Sequence, residues 1–204
     1  QKGRTTKARL ERNFGQPNPE GFRKAYRIMQ LAERFGFPVV TFVDTQGAYP
    51  GIGAEERGQA EAIAFNLKTI STLRTPIVNI VIGEGGSGGG LGIGFGDRLL
   101  MLEHAYYSVI SPEGCAAILW KDQSGVEQAA ENLSLRSSTL LELGIIDTVI
   151  PEPPGGAHID PEEMYRTLDQ VLDQTLRQLK SLPIDRLLAE RDQKIRRLGV
   201  YVEK

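Results

Sequence analysis

The chain has 204 residues, 40% of them hydrophobic, and a formal net charge of −2. This length and apolar content suit one domain with a buried core, while the near-neutral charge excludes a strongly basic nucleic-acid-binding protein. Cys115 is the only cysteine, which excludes an internal disulfide framework, and no apolar run approaches the length of a membrane-spanning segment.

The first part of the chain contains two predicted helices on either side of a predicted strand. Asn18-Pro19-Glu20 is a typical helix start, because a capping residue precedes proline and an acid, and Gly36 is a typical helix end. The apolar run 38–43 predicts a buried strand, followed by a loop over 44–53. A further helix is predicted from about Ala54 to Leu73.

The remaining elements alternate in the same way. Further strands are predicted over 77–82, 98–102, 106–110 and 145–150, and a helix over 111–120. This alternation predicts an α/β fold with largely parallel pairing. We expect one domain over 1–204, with an α/β core in 1–150 and a linker plus two amphipathic helices in 151–204.

The most informative segment is the glycine-rich turn that follows the strand 77–82. Glycine costs roughly 0.5–1 kcal/mol relative to alanine inside a helix, so this many glycines indicate a close approach to the backbone. The turn at Gly88 and Gly89 and the turn at Gly47 and Ala48 each follow a buried strand, and a parallel sheet places both at one edge. Backbone N–H groups from the two turns are therefore expected to converge on one oxygen, as in an oxyanion hole.

Other interpretations of the glycines stay open from the residues alone. Gly83 to Gly88 match the G-x-G-x-x-G pattern of dinucleotide-binding proteins, with Glu103 downstream at the expected spacing. Tight packing of a helix on the sheet is a purely structural explanation. A Walker A loop is excluded because no Lys-Ser/Thr pair follows, and Ser87 is interpreted as lacking a nucleophile elbow. No general acid or base is evident, so the predicted chemistry depends on stabilising negative charge.

Several segments together resemble one enzyme family. The chain resembles the carboxyltransferase alpha subunit of multisubunit acetyl-CoA carboxylase over Phe42–Gly51, Ala54–Gln59, Gly83–Gly89, Ser108–Ala116 and Pro151–His158. Residues 144–147 also resemble the wider crotonase superfamily. The resemblance implies a crotonase-like α/β fold of the ClpP/crotonase type, with repeated ββα units in a superhelix and C-terminal helices.

The resemblance also implies a reaction and its partners. Members of the family transfer the carboxyl group of carboxybiotin, held on a biotin carboxyl carrier protein, to acetyl-CoA, which gives malonyl-CoA for fatty acid synthesis. They act as an alpha2beta2 assembly with a beta subunit that carries a cysteine zinc ribbon, while a separate biotin carboxylase uses ATP. The implied location is the cytoplasm or the plastid stroma, with no DNA and no membrane span involved.

The resemblance further implies the site residues. Backbone donors to the ureido oxygen of biotin are expected at Gly88, Gly89, Gly47 and Ala48. The turn that binds carboxybiotin is expected to be shaped by Gly85, Gly86 and Ser87. No metal ligand is implied in this chain.

Two departures from the family pattern affect these expectations. Gln46 stands where the family loop usually has proline, which makes the geometry around Gly47 less certain. The N-terminal third of the family is expected to be missing from this chain. A stand-alone crotonase-type enoyl-CoA hydratase or decarboxylase, and a non-catalytic assembly subunit, are the alternative functions.

Overall fold

The computed structural model describes residues 3 and 5–199, and within them a five-stranded sheet forms the centre of the molecule. Its strands are β1 (Val39–Thr45), β2 (Ile77–Gly86), β3 (Arg98–Leu102), β4 (Tyr106–Ser108) and β5 (Thr148–Ile150). They lie in the order β1-β2-β3-β5, with β4 also paired to β2, and every pairing between these strands is parallel. The predicted parallel α/β architecture is therefore confirmed.

Strand β2 is the central strand of this sheet. It pairs with β1 along one side, and on the other side with β3 over Val78–Val81 and with β4 over Glu84–Gly86. Val78, Ile80 and Val81 are fully buried, as expected for a parallel strand that is covered on both faces. The carboxyl ends of β1, β2 and β4 therefore meet at one edge of the sheet.

Helices cover the sheet. The α-helices of the described part of the chain are α1 (Thr6–Glu11), α2 (Pro19–Phe35), α3 (Ile52–Glu56), α4 (Gln59–Thr72), α5 (Ser87–Leu91), α6 (Pro112–Leu119), α7 (Val126–Asn132), α8 (Ser137–Glu142), α9 (Pro161–Lys180) and α10 (Ile184–Arg196). Short 3-10 turns lie at Asn13–Gly15 and Gln123–Gly125. None of the helices in residues 3 and 5–199 combines the length and apolar character needed to cross a membrane.

The helix boundaries agree with the sequence in one case and differ in another. Gly36 ends α2 in the left-handed conformation, with φ of 68°, as predicted. The helix predicted from Ala54 to Leu73 is instead broken into α3 and α4, because Gly58 has φ of 79° and its N–H donates to Glu55 O. Helix α7 was not predicted from the sequence.

The strand boundaries also need correction. Strand β2 continues through Gly83–Gly86, where a turn was predicted, because β1 and β4 hydrogen-bond to it there. Strand β4 ends at Ser108, since its Oγ donates to Ile110 O at 2.7 Å and turns the chain. Strand β5 begins at Thr148 because the N–H groups of Ile145 and Ile146 bond back to Leu140 O.

The C-terminal helices share the core of the sheet. Met164 and Leu179 of α9 and Leu187 of α10 are each at most 3% exposed, and they belong to the apolar cluster that contains the residues of β3 and β5. These contacts support treating residues 1–204 as one domain, which remains a prediction.

A buried arginine fixes the last helix to the rest of the molecule. Arg191 of α10 is 1% exposed, and its guanidinium donates to the two carboxylate oxygens of Asp97 at 2.8 and 2.9 Å. Its remaining N–H groups donate to the backbone carbonyls of Ile70, Leu73 and Thr75. The arginine therefore holds α10, the end of α4 and the entry to β3 in one hydrogen-bonded group.

Candidate active site

The two predicted loops meet at the carboxyl edge of the sheet. A methyl group added at Gly89 would lie 2.5 Å from Ala48 N and 2.8 Å from Gly47 O, so the start of α5 presses directly on the loop after β1. A methyl group at Gly86 would lie 2.9 Å from Gln46 Cα. Glycine is needed at both positions because no side chain fits between the two backbones.

The two proposed donors of the first loop differ in what they bind. The Gly47 N–H donates to Thr45 Oγ1 at 3.2 Å, and that hydroxyl in turn donates to Gly47 O at 2.9 Å. The Ala48 N–H has no hydrogen-bond partner among the described residues, and Ala48 is half-buried. An unpaired, partly buried N–H is costly unless a ligand or water satisfies it. Of this pair, Ala48 is therefore the better candidate donor, and Gly47 shapes the loop.

Packing explains part of the glycine-rich segment. A side chain at Gly85 would meet the ring of Tyr107, whose Cε2 would lie 3.2 Å from the added carbon. At Gly88, by contrast, an added methyl group would only touch Ile63 Cδ1 at an ordinary 3.4 Å. Tight packing thus accounts for Gly85, Gly86 and Gly89, whereas packing alone does not require a glycine at Gly88.

Ser87 stands at the turn itself. It is exposed, begins α5, and has φ of 50°, which non-glycine residues rarely adopt. The spacing Gly85-x-Ser87-x-Gly89 is that of a strand-to-helix nucleophile elbow, contrary to the sequence interpretation. Its hydroxyl nevertheless has no hydrogen-bond partner among the described residues, and neither histidine lines the adjacent cleft. The elbow therefore places a serine hydroxyl at the site without a histidine beside it.

The left-handed backbone at Ser87 gives a stability prediction. We expect Ser87→Val to lower the free energy of unfolding by about 1–2 kcal/mol, because a branched Cβ is strained at positive φ. Ser87→Gly, the matched control, should not lower it by a comparable amount. Urea denaturation of the full-length protein measures both values, and equal stability of the two variants would contradict the strained turn.

An open cleft of about 430 Å³ lies in front of this turn. Its lining residues are Gln16, Gln46, Gly86, Ser87, Tyr106, Ser108, Ile110, Ser111 and Glu113. No lysine, arginine or histidine is among them, and Glu113 is the one carboxylate. Among the described residues, the cleft therefore offers neutral hydrogen-bonding groups, one carboxylate and no cationic side chain.

Tyr106 is a site residue that the sequence analysis missed. It lines the cleft, and burial together with the nearby carboxylates of Asp44 and Glu113 raises the pKa of its phenol above the ordinary value. The phenol is therefore protonated at neutral pH. Tyr106 lies at the carboxyl edge because β4 pairs with β2 there. In the sequence, the alternation of side chains along the predicted strand was the signal that could have identified this residue.

The dinucleotide-binding interpretation does not agree with the structure. That fingerprint needs glycines in a turn between strand and helix. Gly83, Gly85 and Gly86 lie within β2 instead, and the Glu103 carboxylate accepts a hydrogen bond from Glu152 N at 3.3 Å. No group of three or more metal-binding side chains is present within residues 3 and 5–199.

Comparisons with known proteins agree on one family. Residues 1–199 match the family described as acetyl co-enzyme A carboxylase carboxyltransferase-like. The chain is 59% identical over 203 residues to the acetyl-coenzyme A carboxylase carboxyl transferase subunit alpha of Geobacter sulfurreducens, and 59% identical to that of Methylococcus capsulatus. Each match covers 100% of this chain, which spans 64% and 63% of the length of those relatives.

Solved structures share the fold at low sequence identity. A Pseudomonas malonate decarboxylase hetero-tetramer in complex with coenzyme A superposes with a TM-score of 0.72 at 18% identity, over 88% of this chain and 74% of that chain. Transcarboxylase 12S superposes with a TM-score of 0.66 at 20% identity, over 79% and 32% of the two chains. The expected crotonase-like α/β fold is thereby confirmed.

Proposed function

Because the chain belongs to the acetyl co-enzyme A carboxylase carboxyltransferase-like family, we propose that it forms the alpha half of a biotin-dependent carboxyltransferase. The proposed reaction transfers the carboxyl group of carboxybiotin to acetyl-CoA and gives malonyl-CoA, the first committed step of fatty acid synthesis. The names of the Geobacter and Methylococcus relatives support this reaction.

The unpaired Ala48 N–H beside Gly89 is the observation that carries the proposal. Carboxybiotin supplies a transferable carboxyl group and a ureido oxygen that becomes negatively charged when the group leaves. We propose that the N–H groups of Ala48 and of Gly88 or Gly89 donate to that oxygen. One such donor, aimed at developing charge, contributes roughly 2.7–4 kcal/mol to lowering the barrier.

The character of the cleft fits a cyclic urea better than a phosphate. The ureido ring offers one carbonyl, together with one N–H group in carboxybiotin and two in biotin, and these groups match the hydroxyl and amide side chains of the lining. The phosphates of coenzyme A would need cationic partners, and none lines the cleft among the described residues. We therefore propose that this cleft binds biotin and not the phosphates of the coenzyme.

The proposed assembly has several components. An alpha subunit implies a beta subunit, and we propose an alpha2beta2 complex whose beta chain carries the zinc ribbon. The carboxylated biotin would arrive on a biotin carboxyl carrier protein after ATP-dependent carboxylation by a separate biotin carboxylase. We place the complex in the cytoplasm.

Reconstitution tests the proposed function. Malonyl-CoA-dependent carboxylation of biocytin should be measured with the full-length alpha protein alone, the beta subunit alone, and the two co-purified. We expect turnover only from the pair. Turnover of enoyl-CoA or malonyl-CoA by the alpha protein alone, without biocytin, would support a stand-alone crotonase-type enzyme. An inactive pair that assembles normally would instead support an assembly subunit.

A further inference from the structure

The side chains of β4 alternate between the cleft and the core. Tyr106 and Ser108 both line the cleft, while Tyr107 between them packs against Gly85 and joins the apolar cluster of the sheet. This is the period of two that a strand imposes. Tyr106 therefore faces the open cleft, whereas the adjacent Tyr107 packs in the apolar core.

The hydroxyl groups of the cleft are not equally available to a ligand. The Ser108 Oγ donates its proton to Ile110 O at 2.7 Å, and the Ser111 Oγ accepts from Gly114 N at 3.1 Å as the cap of α6. The backbone of Tyr106 pairs with strand β2, but its phenol hydroxyl has no hydrogen-bond partner among the described residues. A partly buried phenol usually has a partner, so this hydroxyl is available to a bound molecule.

The charges around Tyr106 limit the kind of ligand group that it would meet. The carboxylates of Asp44 and Glu113 both act on the phenol, and no cationic side chain lines the cleft among the residues that the structure describes. A negative group held directly against the phenol would be repelled by these carboxylates, so carboxybiotin would present its uncarboxylated ureido N–H, and not its carboxylate, to Tyr106. A protonated phenol presents an acceptor oxygen to such a donor without adding charge.

We propose that Tyr106 is a further biotin-binding residue, whose phenol oxygen accepts a hydrogen bond from the ureido N–H that is not carboxylated. This proposal rests on the proposed function and extends it to a side chain. The ring would then be held at two sites, with its carbonyl at the backbone N–H groups and its N–H at Tyr106. The Tyr106 contact adds to the binding of the ring, whereas the backbone N–H groups act on the charge that develops on its oxygen.

Kinetics of the reconstituted complex test this assignment. In the biocytin assay, Tyr106→Phe should raise KM for biocytin about fivefold, the effect of one neutral hydrogen bond. The kcat and the KM for malonyl-CoA should stay within twofold of the unaltered enzyme, which shows that the site is folded. Tyr107→Phe, the matched control, should change none of the three values.

The possible outcomes separate the two proposals. An active unaltered complex whose Tyr106→Phe variant keeps the original KM for biocytin would overturn the assignment of Tyr106 and leave the proposed function standing. A fall in kcat together with a rise in both KM values would mean that Tyr106 has a structural role, which also overturns the assignment. An inactive unaltered complex would overturn both.

Discussion

Replacing Gly89 by alanine should lower the kcat of the reconstituted complex about 100-fold or more, the loss expected when an oxyanion donor is displaced. The added methyl group would lie 2.5 Å from Ala48 N and 2.8 Å from Gly47 O, and neither backbone atom can move without shifting the loop. The Ala48 N–H and the start of α5 would then no longer face the same oxygen. Because binding contacts elsewhere persist, KM for malonyl-CoA should change much less than kcat.

Gly88→Ala is the matched control for this experiment. Its methyl group would meet Ile63 Cδ1 at 3.4 Å, an ordinary contact that leaves the loop after β1 in place. We expect Gly88→Ala to keep kcat within about tenfold of the unaltered complex. The donors stay in place, whereas loss of one donor lowers kcat about 100-fold or more. Both variants should co-purify with the beta subunit. Equal activity of Gly89→Ala and the unaltered enzyme would contradict the close contact of the two loops as the basis of catalysis.

The second large effect concerns stability. Arg191→Ala should lower the free energy of unfolding by about 3–5 kcal/mol, because it leaves the buried Asp97 carboxylate without its ion-pair partner. In a domain of this size, such a loss corresponds to a fall in Tm of roughly 6–20 °C. The change also removes donors from three backbone carbonyls at the end of α4 and the loop that follows it. Calorimetry or urea denaturation of the full-length protein measures the loss.

Arg196→Ala provides the comparison within the same helix. Arg196 pairs with Asp192 at 2.7 Å, but both side chains are more than half exposed, so the pair contributes little. We expect its removal to change the free energy of unfolding by less than about 1 kcal/mol. A similar small loss for Arg191→Ala would show that the buried pair does not hold α10 to the core.

Local signals in the sequence predicted much of the fold correctly. The end of α2 follows from Gly36, and the parallel pairing follows from the alternation of strands and helices. The extension of β2 through Gly83–Gly86 was missed because glycines have little strand preference of their own, and neighbouring strands supply the hydrogen bonds. The break at Gly58 was missed because glycine also occurs inside helices, where its cost is modest.

Long-range partners limited what the sequence could predict. Asp97 and Arg191 are 94 positions apart, and nothing near either residue indicates the other. The meeting of the Gly47 and Gly89 loops was predictable, since topology alone places the ends of parallel strands together. The sequence could not show that the Gly47 N–H bonds to the Thr45 hydroxyl, because this depends on side-chain geometry. It also could not show that Tyr106 lines the cleft, because this depends on strand register.

A crystal structure of the alpha–beta complex with biotin tests most directly whether backbone N–H groups of this chain bind the ureido oxygen of biotin. We predict that this oxygen lies about 2.7–3.1 Å from Ala48 N and from the N of Gly88 or Gly89, the distance expected for an oxyanion hole. Biotin bound with its ureido oxygen on other groups, and with the Ala48 N–H hydrogen-bonded elsewhere, would contradict it.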